Sequence, residues 1–438
     1  MRYLDAVERI ADETPDHRNR VVDLWRVVAL IMVVFGHWLA ASIWVAPDGE
    51  VIVGNTLEWI PFAGWFTWVV QVMPVFFFVG GYANAKGLER HTDNRRSWIT
   101  IRFRRLFTPA VPVILLWTLL ALVLRNFIDA DLVYAGVLNA TIPLWFLAVY
   151  LTLIAAAPFT FKLWHRIGLW SVAVFVVGAV TVDLLYRVAD APGVGWLNLL
   201  FVWGAIHQLG YWWANREETG DVLTPARSFG LGVAALTALM VVTSIGWYPV
   251  AMITIPGAGP QNVTPPTTAL FLLGVTQIGI ILATLRPMQR LSRKRSAWKF
   301  VVGVSGFMMT IYVWHLTALS LVIAAGLFTF DGVLFSLEPG TTVWWLTRPL
   351  FYLVLLLALA VLVAVFGRFE RDIDTTPTTR PMAIVLLGMA ATVVALSATA
   401  FVYLVDKEAT ITWWIPVLTV VAAAVMQAYP ASWKRSSP

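Results

Sequence analysis

The chain contains no cysteine. Disulfides, zinc–thiolate sites and thiol catalysis are excluded, and cysteine usage says nothing about redox compartment. Charge is also scarce. Asp, Glu, Lys and Arg make up 13% of the 438 residues, whereas soluble domains carry about a quarter. Too few polar groups exist to coat a soluble body. There is no P-loop, no dinucleotide fingerprint, no His-Glu-x-x-His and no carboxylate-rich cluster, so neither a metal nor a tightly bound cofactor is expected. Disorder is excluded by what is plentiful. The chain is 59% hydrophobic, with 23 Trp and 25 Phe and a mean hydropathy of +0.76; disordered chains are aromatic-poor.

Long apolar runs recur from residue 21 to residue 428, and each is long enough to cross a bilayer as a helix. Twelve spans are predicted, roughly 22–45, 62–84, 106–124, 143–161, 168–186, 196–213, 228–246, 266–285, 300–325, 343–366, 381–404 and 410–428. The runs do not alternate apolar and polar residues as barrel strands would, and helices satisfy every backbone group in lipid. The fold class read from this is an all-α, polytopic membrane helix bundle.

Residues 1–20 form a polar, mixed-charge leader. It does not resemble a signal peptide, and the first span is taken as retained. With the N-terminus inside and the chain alternating, the inside segments hold 27 of the 31 Lys and Arg residues. The inside cations include Arg2, the 86–105 segment, the 286–299 segment, and Lys434 and Arg435 at the end. Only Arg125, Arg187, Arg348 and Lys407 fall outside. This bias predicts a multi-pass protein of the plasma (inner) membrane with both termini cytoplasmic. The net charge of +6 belongs to that bias and not to a nucleic-acid surface. Segments 46–61, 125–142, 247–265 and 326–342 read as outside loops, with Pro256-Gly257 shaping one of them. No clear internal repeat is visible.

Ionisable residues within spans are costly and usually have a task or a partner. Arg26 and His37 share the first span, eleven residues apart. At 100° per residue they differ by about 20° around the helix and by about 16 Å along it. A cation near the inner end would stand below an imidazole. A histidine kept from water has a neutral ring able to accept a proton, which suits a general base. The alternative is a structural hydrogen bond for His37 and an inside anchor for Arg26. His315 stands at similar depth in the ninth span. It is either a second acid/base, a holder of the acceptor, or a packed histidine bonded to a carbonyl. His207, Gln208 and Gln277 are read as interhelical hydrogen-bonding groups. Asp23 pairs with Arg26 at the start of the helix.

Five segments in order resemble a known family. Asp23-Leu-Trp-Arg26 through Gly36-His37 carries an Arg-x10-His pattern. Met73 to Tyr82 contains Phe-Phe-Phe-Val-Gly-Gly-Tyr, with Gly80 where Ser is usual. Arg102-Phe-Arg-Arg105 forms an Arg-x-x-Arg element. Pro143-Leu-Trp-Phe-Leu147 and Ile311-Tyr-Val-Trp-His315 follow. Together they resemble the acyltransferase-3 family of integral membrane acyltransferases over about residues 20–370. The resemblance implies a leader (1–20), a ten-helix core (21–370), and two further helices with a short cytoplasmic tail (371–438). It also implies acyl transfer, with acetyl the expected group, from cytoplasmic acyl-CoA to a hydroxyl of an envelope glycan or glycolipid. His37 would be the catalytic histidine and Arg26 its partner, with Arg102 and Arg105 the acyl-CoA element. Acyl-CoA would be co-substrate, and a lipid-linked or glycan acceptor the partner. Tyr82, Trp145 and the backbone at Gly80-Gly81 are candidates to stabilise an oxyanion. Two other classes fit the span count: a twelve-span transporter and a flippase of a lipid or sugar.

Overall fold

The computed structural model describes residues 3–15, 18–220, 222–255, 259–330 and 332–432. Arg2, Pro256-Gly257, Lys434 and Arg435, named above, lie outside the described residues. Helix accounts for 76% of the structure, and one two-stranded sheet is present. In chain order the main elements are α1 (Tyr3–Asp12), α2 (Arg20–Ala40), β1 (Ala41–Val45), β2 (Val51–Asn55), α3 (Met73–Arg90), α4 (Arg95–Phe107), α5 (Val111–Leu124), α6 (Ala130–Thr141) and α7 (Leu144–Ile167). There follow α8 (Trp170–Arg187), α9 (Asn198–Thr219), α10 (Pro225–Ser244), α11 (Thr268–Ala283), α12 (Leu285–Arg293) and α13 (Arg295–Ser305). The last four are α14 (Met308–Thr329), α15 (Thr342–Phe366), α16 (Met382–Ala398) and α17 (Trp414–Met426).

Each predicted span is occupied by helix, but not all twelve qualify as crossings. Among the described residues nine helices are long and apolar enough, or ten if the bent pair α11–α12 is one span. Two predicted spans fall short. α9 is 22 residues long, but His207, Gln208 and its Trp and Tyr residues lower its hydropathy. α17 has only 13 residues. The first span is shorter than predicted. α2 stops at Ala40, and a hairpin follows in which Ala41 pairs with Asn55 and Val45 with Val51. Segment 125–142, read as a loop, holds α6. Val133, Val137 and Ala140 recur at helical spacing and are buried, so an apolar stripe folds the segment against its neighbours. The basic segment 286–299 is likewise helical, as α12 and α13.

The chain forms two compact units that interleave along the sequence: residues 1–36, 57–90 and 156–305, and residues 37–56, 91–155 and 306–438. In the first unit, α3 lies against α9 at backbone distance. A Cβ on Gly81 would sit 2.1 Å from the His207 carbonyl oxygen, and one on Gly210 would sit 2.2 Å from that of Phe78. Only glycine permits this approach. Phe77 stacks on Trp203 at 4.6 Å and Phe78 on Trp213 at 5.2 Å. Asn84 bonds His207 at 2.9 Å across the same interface. Gln208 donates to the Thr160 carbonyl and Gln277 to that of Gln71. These polar groups are therefore satisfied by neighbouring helices and the segments that join them. Asp183 is satisfied by Tyr248 Oη, Asn198 Nδ2 and the Thr268 amide, all within 2.8 Å.

The leader is also tied down. In α1, Glu8 pairs with Lys299 and Asp12 with Arg295. Tyr3 Oη donates to the Gly303 carbonyl at 2.6 Å. Hydrogen bonds from Lys299 and Arg295 hold the Glu8 and Asp12 carboxyls below the usual carboxylate range.

In the second unit, α14 packs on α15 and α6, and α16 on α17. α15 leaves Leu346, Leu350 and Val361 exposed, at 74, 68 and 62%. A helix apolar on its outer side matches lipid as its surroundings.

Two outcomes test this packing. Gly81→Ala should destabilise the protein by about 1–3 kcal/mol or more, seen as an earlier melting transition in detergent, since overpacking against backbone cannot relax. Gly193→Ala, where an added Cβ meets nothing within 4 Å, should leave it unchanged. The Glu8 and Asp12 pairs operate above the ordinary carboxylate range and fail as pH falls through the lowered values. A fluorophore on Arg9→Cys, a single cysteine in a chain without any, should gain mobility over that acid range and not between pH 6 and 8.

Candidate active site

The second unit begins at His37, three residues before the end of α2. The ring is half-buried, and its Nδ1 lies 2.8 Å from Nε2 of His315. The two rings are nearly coplanar, with 10° between planes and centroids 5.1 Å apart. His315 is fully buried, and its Nδ1 lies 2.6 Å from the carbonyl oxygen of Tyr312.

That carbonyl decides where the protons sit. It can only accept, so His315 Nδ1 carries a hydrogen and donates it. With one proton per ring, His315 Nε2 is then bare and accepts from His37 Nδ1–H. The remaining nitrogen, Nε2 of His37, keeps a free lone pair. Among the described residues it has no hydrogen-bond partner. The arrangement holds an imidazole in one tautomer with its basic nitrogen uncommitted, as a general base requires.

The frame around the pair is stiff. Trp38 Nε1 donates to the His315 carbonyl at 3.0 Å, locking α2 to α14. Trp117 Nε1 reaches Thr317 Oγ1 at 3.0 Å, and Asn139 Nδ2 reaches Ser320 Oγ at 2.9 Å. Tyr312 Oη donates to the Pro143 carbonyl at 2.8 Å. At the start of α14, the Glu370 carboxylate accepts from the amides of Met309 and Thr310 at 2.9 and 2.7 Å and from Thr310 Oγ1 at 2.7 Å. A carboxylate on the first amides of a helix satisfies orphan donors and complements the helix dipole. α14 is thus held at its start and along the turns that carry His315.

The other predicted site residues each have contacts of their own. Arg26 is on the same helix as His37, near its start, and its guanidinium lies 3.8 Å from Asp23, which Arg18 contacts at 2.7 Å. Arg102 lies over the Trp98 ring at 4.8 Å, and Arg105 is exposed. Between them Arg104 points inward and is 1% exposed. It donates to the carbonyls of Met426 at 2.8 Å and Thr376 at 3.0 Å, and to Gln427 Oε1 at 2.6 Å. Tyr82 donates its hydroxyl to Glu217 and accepts from Asn19. Trp145, half-buried at the start of α7, packs edge-on against Phe146. Gly81 serves the α3–α9 contact. Among the described residues no three His, Asp or Glu side chains assemble into a metal-binding set.

Sequence reasoning offered a carbonyl partner for His315 without identifying Tyr312 as its owner, and it missed Glu370 and the inward turn of Arg104. The Tyr312 carbonyl had a signal, since a histidine three residues after another helical residue can reach that residue's carbonyl. Glu370 and Arg104 had none, because their partners are remote in sequence.

The Arg104 guanidinium also lies 3.7 Å from the Asp374 carboxylate, which is 5% exposed, and Arg104→Ala would leave that buried carboxylate without its cation. Breaking a buried pair costs about 3–5 kcal/mol. The variant should melt earlier and expose the 372–380 segment to protease, whereas Arg105→Ala should do neither.

Comparison with known families matches residues 19–369 to an acyltransferase domain. No match was found among the curated proteins or the solved structures compared with the chain. The matched stretch covers most of the 438 residues and includes Arg26, His37, the Arg-x-x-Arg element and His315; the chain belongs to the acyltransferase-3 family of membrane acyltransferases.

Proposed function

We propose that the protein is an O-acyltransferase of the plasma membrane, with both termini cytoplasmic. It moves an acyl group, acetyl in the simplest case, from acyl-CoA to a hydroxyl of an envelope glycan or glycolipid. The observation that carries this reading is the hydrogen-bond chain from the Tyr312 carbonyl through His315 to His37. It leaves one basic nitrogen free on a half-buried ring.

His37 Nε2 takes the proton of the acceptor hydroxyl as its oxygen attacks the thioester carbonyl. His37 becomes an imidazolium, and its Nδ1–H continues to donate to His315. The tetrahedral intermediate collapses with cleavage of the carbon–sulfur bond. The proton on His37 Nε2 passes to the departing sulfur, leaving an ester and a free thiol and returning the ring to its starting state. His315 is the positioning residue in this scheme. Its bare Nε2 holds the His37 ring and its tautomer. Arg26 lies eleven residues before His37 on α2 and is suited to an anionic part of the donor.

The test is acyl-CoA-dependent ester formation and thiol release by the full chain in nanodiscs. His37→Ala should reduce turnover by about 10²–10⁴-fold. His315→Gln should retain more activity than His315→Ala, because a glutamine oxygen can still accept from His37 Nδ1–H. Equal loss in the two His315 variants would remove the tautomer argument. Unchanged turnover in folded His37→Ala would remove the mechanism. Lipid or sugar movement by a wild-type protein that releases no thiol would favour a transporter or flippase instead.

A further inference from the structure

The first unit contains a cleft of about 530 Å³ whose cations are Arg18, Arg20 and Arg293. Asn19, Glu217 and Gln289 add hydrogen-bonding groups to its wall. Gln289 and Arg293 also line a hollow of about 200 Å³ bounded by Arg286 and Arg290. The two spaces therefore share a wall, and five arginines surround them.

Three of the five come from α12, which bends by 62° from α11. Arg286, Arg290 and Arg293 fall within an arc of about 60° on that helix. All three are exposed, and among the described residues none has an ion-pair partner. The neighbouring cations differ in this respect: Arg295 and Lys299 are paired with Asp12 and Glu8. Arg18 is partly balanced by Asp23, and Arg20 lies over the Trp298 ring at 4.9 Å. Among the described lining residues and their ion-pair partners, two carboxylates, Asp23 and Glu217, thus stand against five guanidiniums.

Guanidinium forks bind phosphate oxygens with directional, charge-assisted bonds. A headgroup with a single phosphodiester, such as that of phosphatidylglycerol, offers too little charge for this many cations. The Gln289 amide suits a ribose hydroxyl or a base edge, whereas that of Asn19 is committed to Tyr82, Glu217 and the first amides of α2. The volume lies in the range of small-ligand sites. We propose that the cleft binds a nucleotide carrying several phosphates, the anionic end of the donor thioester, with Arg286, Arg290 and Arg293 as its main phosphate ligands. This rests on the reading above that the donor is acyl-CoA. It assigns phosphate binding to arginines outside the Arg-x-x-Arg element.

The experiment measures equilibrium binding of adenosine 3′,5′-bisphosphate, which has no thioester and reports the cleft apart from the chemistry. The full chain in nanodiscs is compared with three variants. One combines Arg286→Gln, Arg290→Gln and Arg293→Gln. The second removes three exposed charges elsewhere in the unit, through Lys162→Gln, Arg166→Gln and Arg227→Gln. The third is His37→Ala. Wild type, the charge control and His37→Ala should bind alike, and the α12 triple variant at least tenfold more weakly. If the triple variant melts early, Arg290→Gln alone should weaken binding while keeping the wild-type melting profile. Nucleotide binding that is absent in wild type, or unchanged in the α12 variants, overturns the proposal. So does loss of retained phosphatidylglycerol in the triple variant without loss of nucleotide, which marks a lipid site. Normal nucleotide binding by a protein that transfers no acyl group from CoA would support the cleft while refuting the catalytic reading.

Discussion

A main-chain oxygen governs the candidate chemistry. The Tyr312 carbonyl cannot donate, so it fixes the proton on His315 Nδ1, and the remaining proton positions follow through two short hydrogen bonds. The rest of the second unit can be understood as keeping those bonds straight. Trp38, Trp117 and Asn139, from three different helices, bond α14, and Glu370 secures its first turn. A slip of one residue along α14 would turn the His315 ring by about 100° and break the chain.

Much of the fold is legible in the sequence because lipid imposes a simple rule. Apolar runs of span length must be helical, and each predicted span indeed holds a helix. The rule weakens where helices pack on protein instead of lipid. α9 tolerates His207, Gln208 and several tryptophans because it is largely buried against α3. α6 and α12 are helices within segments read as loops, since short amphipathic helices bury one face without reaching span length. The hairpin after Ala40 turns at Pro47-Asp48-Gly49, a strong turn signal, but its first strand is apolar and continues the run of α2, so it reads as the end of a span.

The candidate site was legible in part. The Arg-x10-His pattern and the Tyr-x-x-His segment single out His37 and His315, but only three dimensions show that they bond each other. Spacing explains half of the pair's geometry, because Tyr312 and His315 are one helical turn apart. The join between α2 and α14 is a tertiary fact with no local trace. The arginines show a different limit. Arg102 and Arg105 belong to a recognisable element, yet the guanidinium between them is the buried one. The arginines of α12 looked like an ordinary inside charge cluster, because topology and ligand binding ask for the same residue.

The Arg104 contacts also bear on where the catalytic body ends. The family match stops at residue 369, which invites the view that the last two helices are a removable appendage. All the acceptors of Arg104 nevertheless lie between residues 374 and 427. A chain cut at the family boundary would keep this guanidinium and lose every oxygen that satisfies it. The packing that satisfies this buried cation therefore extends beyond the recognisable domain, and the C-terminal helices close a part of the body that the domain alone leaves open.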